Sequence, residues 1–120
     1  MNSDWLQSYL DQMQQAALEV GDFIKGTRKD DFLKDVLKQR AVGMNLLMIG
    51  EVVTRLMEEF PEVVAEHPDV PWIKMRGMRN RIAHGYFNID LDTVWETATK
   101  AVPELLQTLH MLRHWRAQGE

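Results

Sequence analysis

The sequence has no cysteine. Disulfide bonds and thiolate-ligated metal centres are therefore excluded as sources of stability or chemistry. Nothing in such a chain needs an oxidising compartment, so we expect a cytoplasmic protein. His110 and His114 form an i, i+4 pair, but no third ligand lies near them in the sequence, and the ordinary interpretation is a solvated helix face. We predict neither a metal site nor a cofactor.

Long apolar runs are also absent. No uninterrupted apolar segment approaches the roughly 20 residues that a membrane-spanning helix needs. Residues 1–6 lack the basic start and apolar stretch of a secretory signal. The chain has 120 residues, of which 45% are hydrophobic, as in an ordinary globular protein. We therefore predict a single domain over residues 1–120 that does not associate with membranes.

Acidic residues are missing from one segment. The whole chain has a net charge of −4, which argues against generic nucleic-acid binding. Residues 70–89 nevertheless contain no carboxylate and four cations, namely Lys74, Arg76, Arg79 and Arg81. This local excess of positive charge is typical of a small anion-binding site.

Strand-like alternation is absent as well, whereas apolar residues recur at three- and four-residue steps. This periodicity predicts long helices over residues 4–24, about 32–60, about 69–84 and from about 90 onward. A turn is expected at 27–31 and a short helix or turn at 61–68, and Pro103 should kink the last helix. We predict an all-α fold, an antiparallel bundle of about four long helices with short helical turns.

The expected helix ends depend on a few residues. The predicted N-caps are Ser3 for the first helix, Asp69 for the third, and Asp90 or Asp92 for the last. Glycines at 26 and 85 should end the first and third helices. The apolar residues that fit the second helix, which should end before Pro61, are Val36, Leu37, Met44, Leu47, Met48, Val52, Leu56 and Phe60.

Two glycines interrupt the second helix. Gly43 and Gly50 are seven residues apart and share nearly one face, although each costs about 1 kcal/mol relative to alanine. We favour a close crossing by another helix, within the subunit or across a dimer seam. Approach of a ligand to bare backbone is the alternative. Glu51 follows in this apolar segment, and we favour a structural hydrogen bond for it over a position in a cleft.

Residues 79–86, Arg-Asn-Arg-Ile-Ala-His-Gly-Tyr, combine groups suited to phosphodiester chemistry. Asn80 and His84 share a helix face, so the amide could orient the imidazole. An imidazole that titrates near neutrality beside the guanidinium of Arg79 suits proton transfer and charge stabilisation. The ordinary alternative is a solvated arginine and a histidine at the negative end of the helix dipole.

The spacing of Arg79 and His84 presents a geometric difficulty. Positions five apart on a regular helix are separated by roughly 140° around its axis. Either the last turn unwinds at Gly85, or a symmetric dimer brings the motifs of two subunits into one cleft.

This segment resembles the Arg-x4-His-x-Tyr signature of the HepT-like toxins, which belong to the HEPN superfamily of helical ribonucleases. The likeness extends over most of the chain, through the long helix containing Met48-Ile49-Gly50-Glu51, the Pro71-Trp72 helix entry and a last helix interrupted by proline. It implies a metal-independent endoribonuclease toxin of a prokaryotic toxin–antitoxin pair, which cleaves RNA as a homodimer with a composite cleft.

The resemblance also implies individual roles. Arg79 would stabilise the phosphorane-like transition state, His84 would transfer protons, and Asn80 would support the site. The antitoxin would be a minimal nucleotidyltransferase that transfers AMP from ATP to Tyr86. The resemblance also allows the homodimer to form a larger hetero-oligomer with this antitoxin. Considered alone, Tyr86 would be an ordinary half-buried tyrosine. The remaining cations of the segment, Lys74, Arg76 and Arg81, are candidates for RNA contacts.

Two further functions fit the sequence. The acidic remainder of the chain favours a non-catalytic helical dimer that binds and scaffolds a nucleotidyltransferase. An RNA-binding scaffold is the other. The four tryptophans, Trp5, Trp72, Trp95 and Trp115, are too dispersed for a base-stacking array, so we assign them to the core or a dimer seam.

Overall fold

The computed structural model describes the backbone of residues 3–119 and the side chains of residues 4–112. Within these limits every regular element is helical, which confirms the predicted all-α fold. The elements are α1 (Ser3–Ile24), α2 (Lys29–Phe32), α3 (Val36–Glu59), α4 (Pro61–Glu66), α5 (Trp72–Gly85), a 3₁₀ turn (Tyr86–Asn88), α6 (Leu91–Glu96), a π-helical turn (Thr97–Ala101) and α7 (Val102–Gly119). None of the helices in residues 3–119 is long and apolar enough to cross a membrane.

Helix α3 is the central element of the bundle. It packs against α1 and α5, and α7 in turn packs against α1. The core between these helices is apolar, and its largest fully buried side chains include Leu10, Met13, Phe32, Leu56 and Leu109. Removal of this surface from water is the main contribution to stability.

Helix α3 begins later than the predicted residue 32. The carboxylate of Asp35 accepts a hydrogen bond from the Lys38 backbone N–H (3.0 Å) and caps α3, whereas Phe32 ends the separate helix α2. Part of the predicted 27–31 turn is therefore helical. Gly26 adopts a φ of +74° just after α1, the left-handed conformation expected of a terminating glycine.

The predicted cap at Asp69 is wrong, because Pro71 occupies the N-cap position of α5. Proline restricts the preceding residue to extended conformations, which keeps Val70 out of the helix. The Trp72 indole N–H then donates to the His67 carbonyl (2.9 Å), anchoring the helix start. Gly85 ends α5 as predicted, although its φ of −166° is extended backbone rather than left-handed.

At the other predicted ends, Asp90 is the residue that caps α6, through the Asp92 backbone N–H (2.9 Å). The interruption expected at Pro103 takes the form of a π-helical turn just before it. There the Val102 N–H donates to the Thr97 carbonyl, one residue further back than in an α-helix. The Ser3 cap rests on a side chain outside the described residues.

The tryptophans occupy different environments. Trp72 is buried, and Trp95 packs on Phe32 with the ring centroids 5.1 Å apart. Trp5 is 58% exposed on α1. The side chains of Trp115 and His114, for which the sequence predicted a core or seam position and a solvated helix face, lie outside the described residues.

One side of α3 is apolar but exposed. Val36, Leu37, Met44 and Met48, which belong to the apolar pattern of this helix, are between 39% and 79% exposed. The core side is already filled by other α3 residues, including Val42, Leu46, Ile49, Val53 and Leu56. Leu37, Met44 and Met48 are spaced i, i+7 and i+11, so they lie within about 20° of one line along the helix. We call these three residues the exposed α3 face.

Candidate active site

Helices α3 and α5 approach each other closely at Gly50. A Cβ atom added there would lie 2.2 Å from the Arg79 Cβ and 3.0 Å from the Met75 carbonyl oxygen. Only a glycine permits this approach. The close helix crossing that we favoured for this position is confirmed, and it lies within one subunit.

The crossing holds the Arg79 guanidinium in place. Its Nε donates to Glu51 Oε1 and its Nη1 donates to Asn80 Oδ1, each at 2.5 Å. The Arg79 side chain is 24% exposed and that of Glu51 is 49% exposed. Two of the five N–H donors are thus occupied, which orients the planar group and leaves others for an anion. The hydrogen bond expected of Glu51 exists, but it involves the motif arginine at a half-exposed position.

Asn80 and His84 line a groove of about 550 Å³ between α5 and the start of α6. The other residues of this groove include Arg81, Gly85, Asn88, Asp90 and Thr93. The Asn80 amide oxygen contacts Arg79 rather than the His84 imidazole, contrary to the expected orienting contact. Asn80 therefore joins the anchored guanidinium to the groove that contains the exposed histidine.

Arg79 and His84 do not meet within one chain. Helix α5 stays regular through His84 and ends at Gly85, so the angular separation of roughly 140° is retained. Among residues 4–112 no hydrogen bond joins the two side chains. Of our two geometric alternatives, the end of the helix at Gly85 does not by itself bring the Arg79 and His84 side chains together in one chain.

Tyr86 lies against α3. A Cβ atom added to Gly43 would lie 2.9 Å from Tyr86 Cε1 and 3.4 Å from its hydroxyl. The guanidinium carbon of Arg40 is 4.9 Å from the Tyr86 ring centroid, a cation–π contact. The partner of Gly43 is thus an aromatic ring in a 3₁₀ turn, not a crossing helix. Gly43 and Gly50 each accommodate one motif side chain.

The remaining cations do not form one cluster. Arg81 lines the groove of His84, whereas Lys74 lies in a second groove with acidic residues that include Asp69, Glu96 and Glu104. Arg40 and Glu51 contact motif side chains. The sequence indicated no role for Arg40, and for Glu51 it left a structural hydrogen bond and a position in a cleft as the alternatives. The one available signal was their spacing from the glycines, because Arg40 lies one turn before Gly43 and Glu51 directly follows Gly50.

Comparisons with known proteins identify the family of the chain. A family model described as "Ribonuclease HepT-like" matches residues 13–112, which include the whole motif. "Putative RNase TTE0752" of Caldanaerobacter subterraneus is 38% identical over 81% of this chain and 84% of its own. "Probable ribonuclease HepT" of Thermococcus cleftensis is 31% identical over 88% of this chain and 93% of its own. No solved structure matches.

The family match and the similarity to these relatives cover most of the chain. The residues matched by the family model include α3 with both glycines and α5 with the motif. The chain belongs to the HepT-like ribonuclease family of HEPN proteins.

Proposed function

We propose that this protein is a metal-independent endoribonuclease toxin that cleaves RNA with Arg79 and His84. The observation that carries the proposal is the doubly anchored Arg79 guanidinium beside the groove of His84, in a chain of a ribonuclease family. Anchoring aims fixed positive charge at the position where an anionic transition state develops.

The proposed chemistry assigns one task to each side chain. A neutral His84 imidazole accepts the proton of the attacking hydroxyl, and the imidazolium returns a proton to the leaving oxygen as its bond to phosphorus breaks. The free donors of Arg79 bind the non-bridging oxygens, where negative charge accumulates. Asn80 and Glu51 hold the guanidinium in position.

The proposed active unit is a symmetric dimer. The exposed α3 face, Leu37, Met44 and Met48, offers an apolar surface for a second copy of the chain. Glu51 lies on the neighbouring side of the same helix and holds Arg79, so a copy seated on this face would approach the motif. A two-fold axis there pairs the Arg79 of one copy with the His84 of the other.

Cleavage in the presence of a chelator tests the proposal. Purified protein, free of any antitoxin, is expected to fragment RNA in EDTA. The His84→Ala variant should cleave about 10² to 10⁴ times more slowly, the usual contribution of proton transfer. His110→Ala is the matched control, since His110 is exposed on α7 away from the groove. Intact RNA with the wild type, or unchanged cleavage by His84→Ala, would refute the assignment.

A second candidate is the non-catalytic scaffold for a nucleotidyltransferase. The observation in its favour is that Arg79 already has a carboxylate partner, Glu51, in the single chain. This reading predicts no RNA cleavage by the wild type and no growth defect when the chain is expressed without its partner.

We further propose that a minimal nucleotidyltransferase antitoxin silences the toxin by transferring AMP to Tyr86. The Tyr86 ring is only partly buried. The Arg40 guanidinium lies over this ring, where it would pair with the phosphate of the added AMP. Tyr9 is the internal comparison, because it is 6% exposed and its hydroxyl donates to the Glu59 carboxylate (3.1 Å).

Intact-mass measurement after co-expression with the nucleotidyltransferase tests this modification. We expect the mass of one AMP adduct on the wild type and on Tyr9→Phe, and no adduct on Tyr86→Phe. An unshifted wild-type mass, or an adduct that persists in Tyr86→Phe, would contradict the proposal.

A further inference from the structure

Phe87 is the most exposed large apolar side chain among those described, at 87%. It lies three residues after His84 and next to Tyr86. The Tyr86 and Phe87 rings meet nearly perpendicularly, with centroids 6.1 Å apart and planes at 79°. Tyr86 itself rests on Gly43 of α3. The Phe87 ring is therefore supported on one side and open to solvent elsewhere.

Arg40 adds a cation to this pair of rings. Its guanidinium carbon lies 4.9 Å from the Tyr86 centroid and 5.4 Å from the Phe87 centroid. Within the described side chains, Arg40 makes no ion pair with a carboxylate. Its charge is thus available to an anion next to an exposed aromatic ring.

We propose that Phe87 and Arg40 form a nucleotide-binding subsite, in which an unpaired RNA base stacks on Phe87 and Arg40 contacts an adjacent phosphate. The proposal rests on the ribonuclease function proposed above and adds its substrate class, single-stranded RNA. An aromatic ring beside a cation is the usual means of binding single strands, because every base has a stacking face. Bases inside a duplex are already stacked and do not reach such a ring.

The Phe87–Arg40 surface lies close to the proposed dimer contact. Arg40 belongs to α3, the helix that also carries the exposed α3 face. A phenylalanine in a dimer seam would be exposed in the single chain as well. Arg40 has no carboxylate partner among the described side chains, and a nucleotide supplies the phosphate that would pair with this cation beside the ring. The experiment below separates the two.

The test measures binding of a short single-stranded RNA that contains 2-aminopurine, with all variants made in the His84→Ala background to prevent cleavage. Phe87→Ala should weaken binding by roughly 5- to 150-fold, the range of one lost base stack, and should abolish the quenching of 2-aminopurine fluorescence. Phe87→Trp should retain both. Binding of a duplex of the same sequence should not change.

Trp5→Ala is the matched control. Trp5 is an exposed aromatic residue like Phe87, but its neighbour Tyr9 contacts Glu59 at the far end of α3 from Arg40. The two α3 positions are about 28 Å apart along the helix. Replacement of Trp5 by alanine should leave the affinity for the RNA and the quenching of 2-aminopurine fluorescence unchanged.

Salt dependence separates the roles of the two residues. Arg40→Gln should reduce the slope of log affinity against log salt by about 0.7, the value for one phosphate contact on a single strand. Phe87→Ala should weaken binding without changing the slope. An unchanged slope in Arg40→Gln would overturn the assignment of a phosphate contact.

The two proposals fail in different ways. Binding and quenching that survive Phe87→Ala overturn the subsite even if the wild type cleaves RNA. Quenching that depends on Phe87 supports the subsite even if the wild type does not cleave. Analytical ultracentrifugation without RNA tests the protein contact. Loss of the dimer in Phe87→Ala would show that Phe87 lies in a protein interface and would overturn the nucleotide subsite.

Discussion

Gly50→Ala is expected to reduce RNA cleavage by about 100-fold and to lower the free energy of unfolding by about 2 kcal/mol. The added methyl would stand 2.2 Å from the Arg79 Cβ and 3.0 Å from a backbone oxygen, that of Met75. Neither atom is the end of a flexible side chain, so α3 and α5 must separate. Overpacking of this kind costs about 1–3 kcal/mol. A displacement of about 1 Å is enough for a 100-fold loss of rate.

The measurements are the urea midpoint and the cleavage rate under conditions where the variant is folded. Gly21→Ala is the matched control, because Gly21 also lies in a helix but has no atom within 4 Å of an added Cβ. Alanine should stabilise that position by up to about 1 kcal/mol and leave cleavage unchanged. A Gly50→Ala protein with wild-type stability and activity would show that the crossing does not position Arg79.

Gly43 shows why the two α3 glycines, alike in sequence, differ in structure. Both interrupt the same helix at nearly the same angle, and a helix crossing was an equally good expectation for each. At Gly50 the neighbour is the Cβ and backbone of α5, whereas at Gly43 it is the Tyr86 ring in the turn that follows. The sequence therefore locates a close approach, but the neighbour depends on where α5 ends relative to α3.

The periodic pattern identified the long helices because each buries an apolar stripe. It could not separate the buried stripe of α3 from the exposed one, since Leu37 and Met44 repeat at the same steps as Val42 and Ile49. The number of helices that cover α3 decides which apolar residues are buried, and this number is a tertiary property. The apolar pattern of the helix therefore includes Leu37 and Met44, although both side chains are exposed.

The motif was predictable as a set of residues, but its supports were not. Arg79, Asn80 and His84 lie within six consecutive residues, and local spacing placed them on one helix. Glu51 contacts Arg79 across 28 positions, and Arg40 contacts Tyr86 across an even longer separation. Such contacts depend on the packing of α3 against α5. Neither composition nor periodicity contains this information.

Mixing two inactive variants is expected to restore about a quarter of wild-type cleavage. Arg79→Gln and His84→Ala proteins should each be inactive alone. In a dimer that pairs the Arg79 of one copy with the His84 of the other, a mixed dimer has one cleft with both changes and one with neither. Random exchange makes about half of the dimers mixed, each with one of its two clefts intact.

The physical reason lies in α5, which stays helical through His84 and keeps that side chain roughly 140° from Arg79. The experiment mixes the proteins under conditions of subunit exchange, confirms mixed dimers by native mass spectrometry and measures cleavage. A mixture of His84→Ala with the double variant is the control, since it contains no intact Arg79–His84 pair across the seam. Mixed dimers that remain inactive would show that each chain must supply both residues to its own site, and that α5 must unwind at Gly85 before RNA is cleaved.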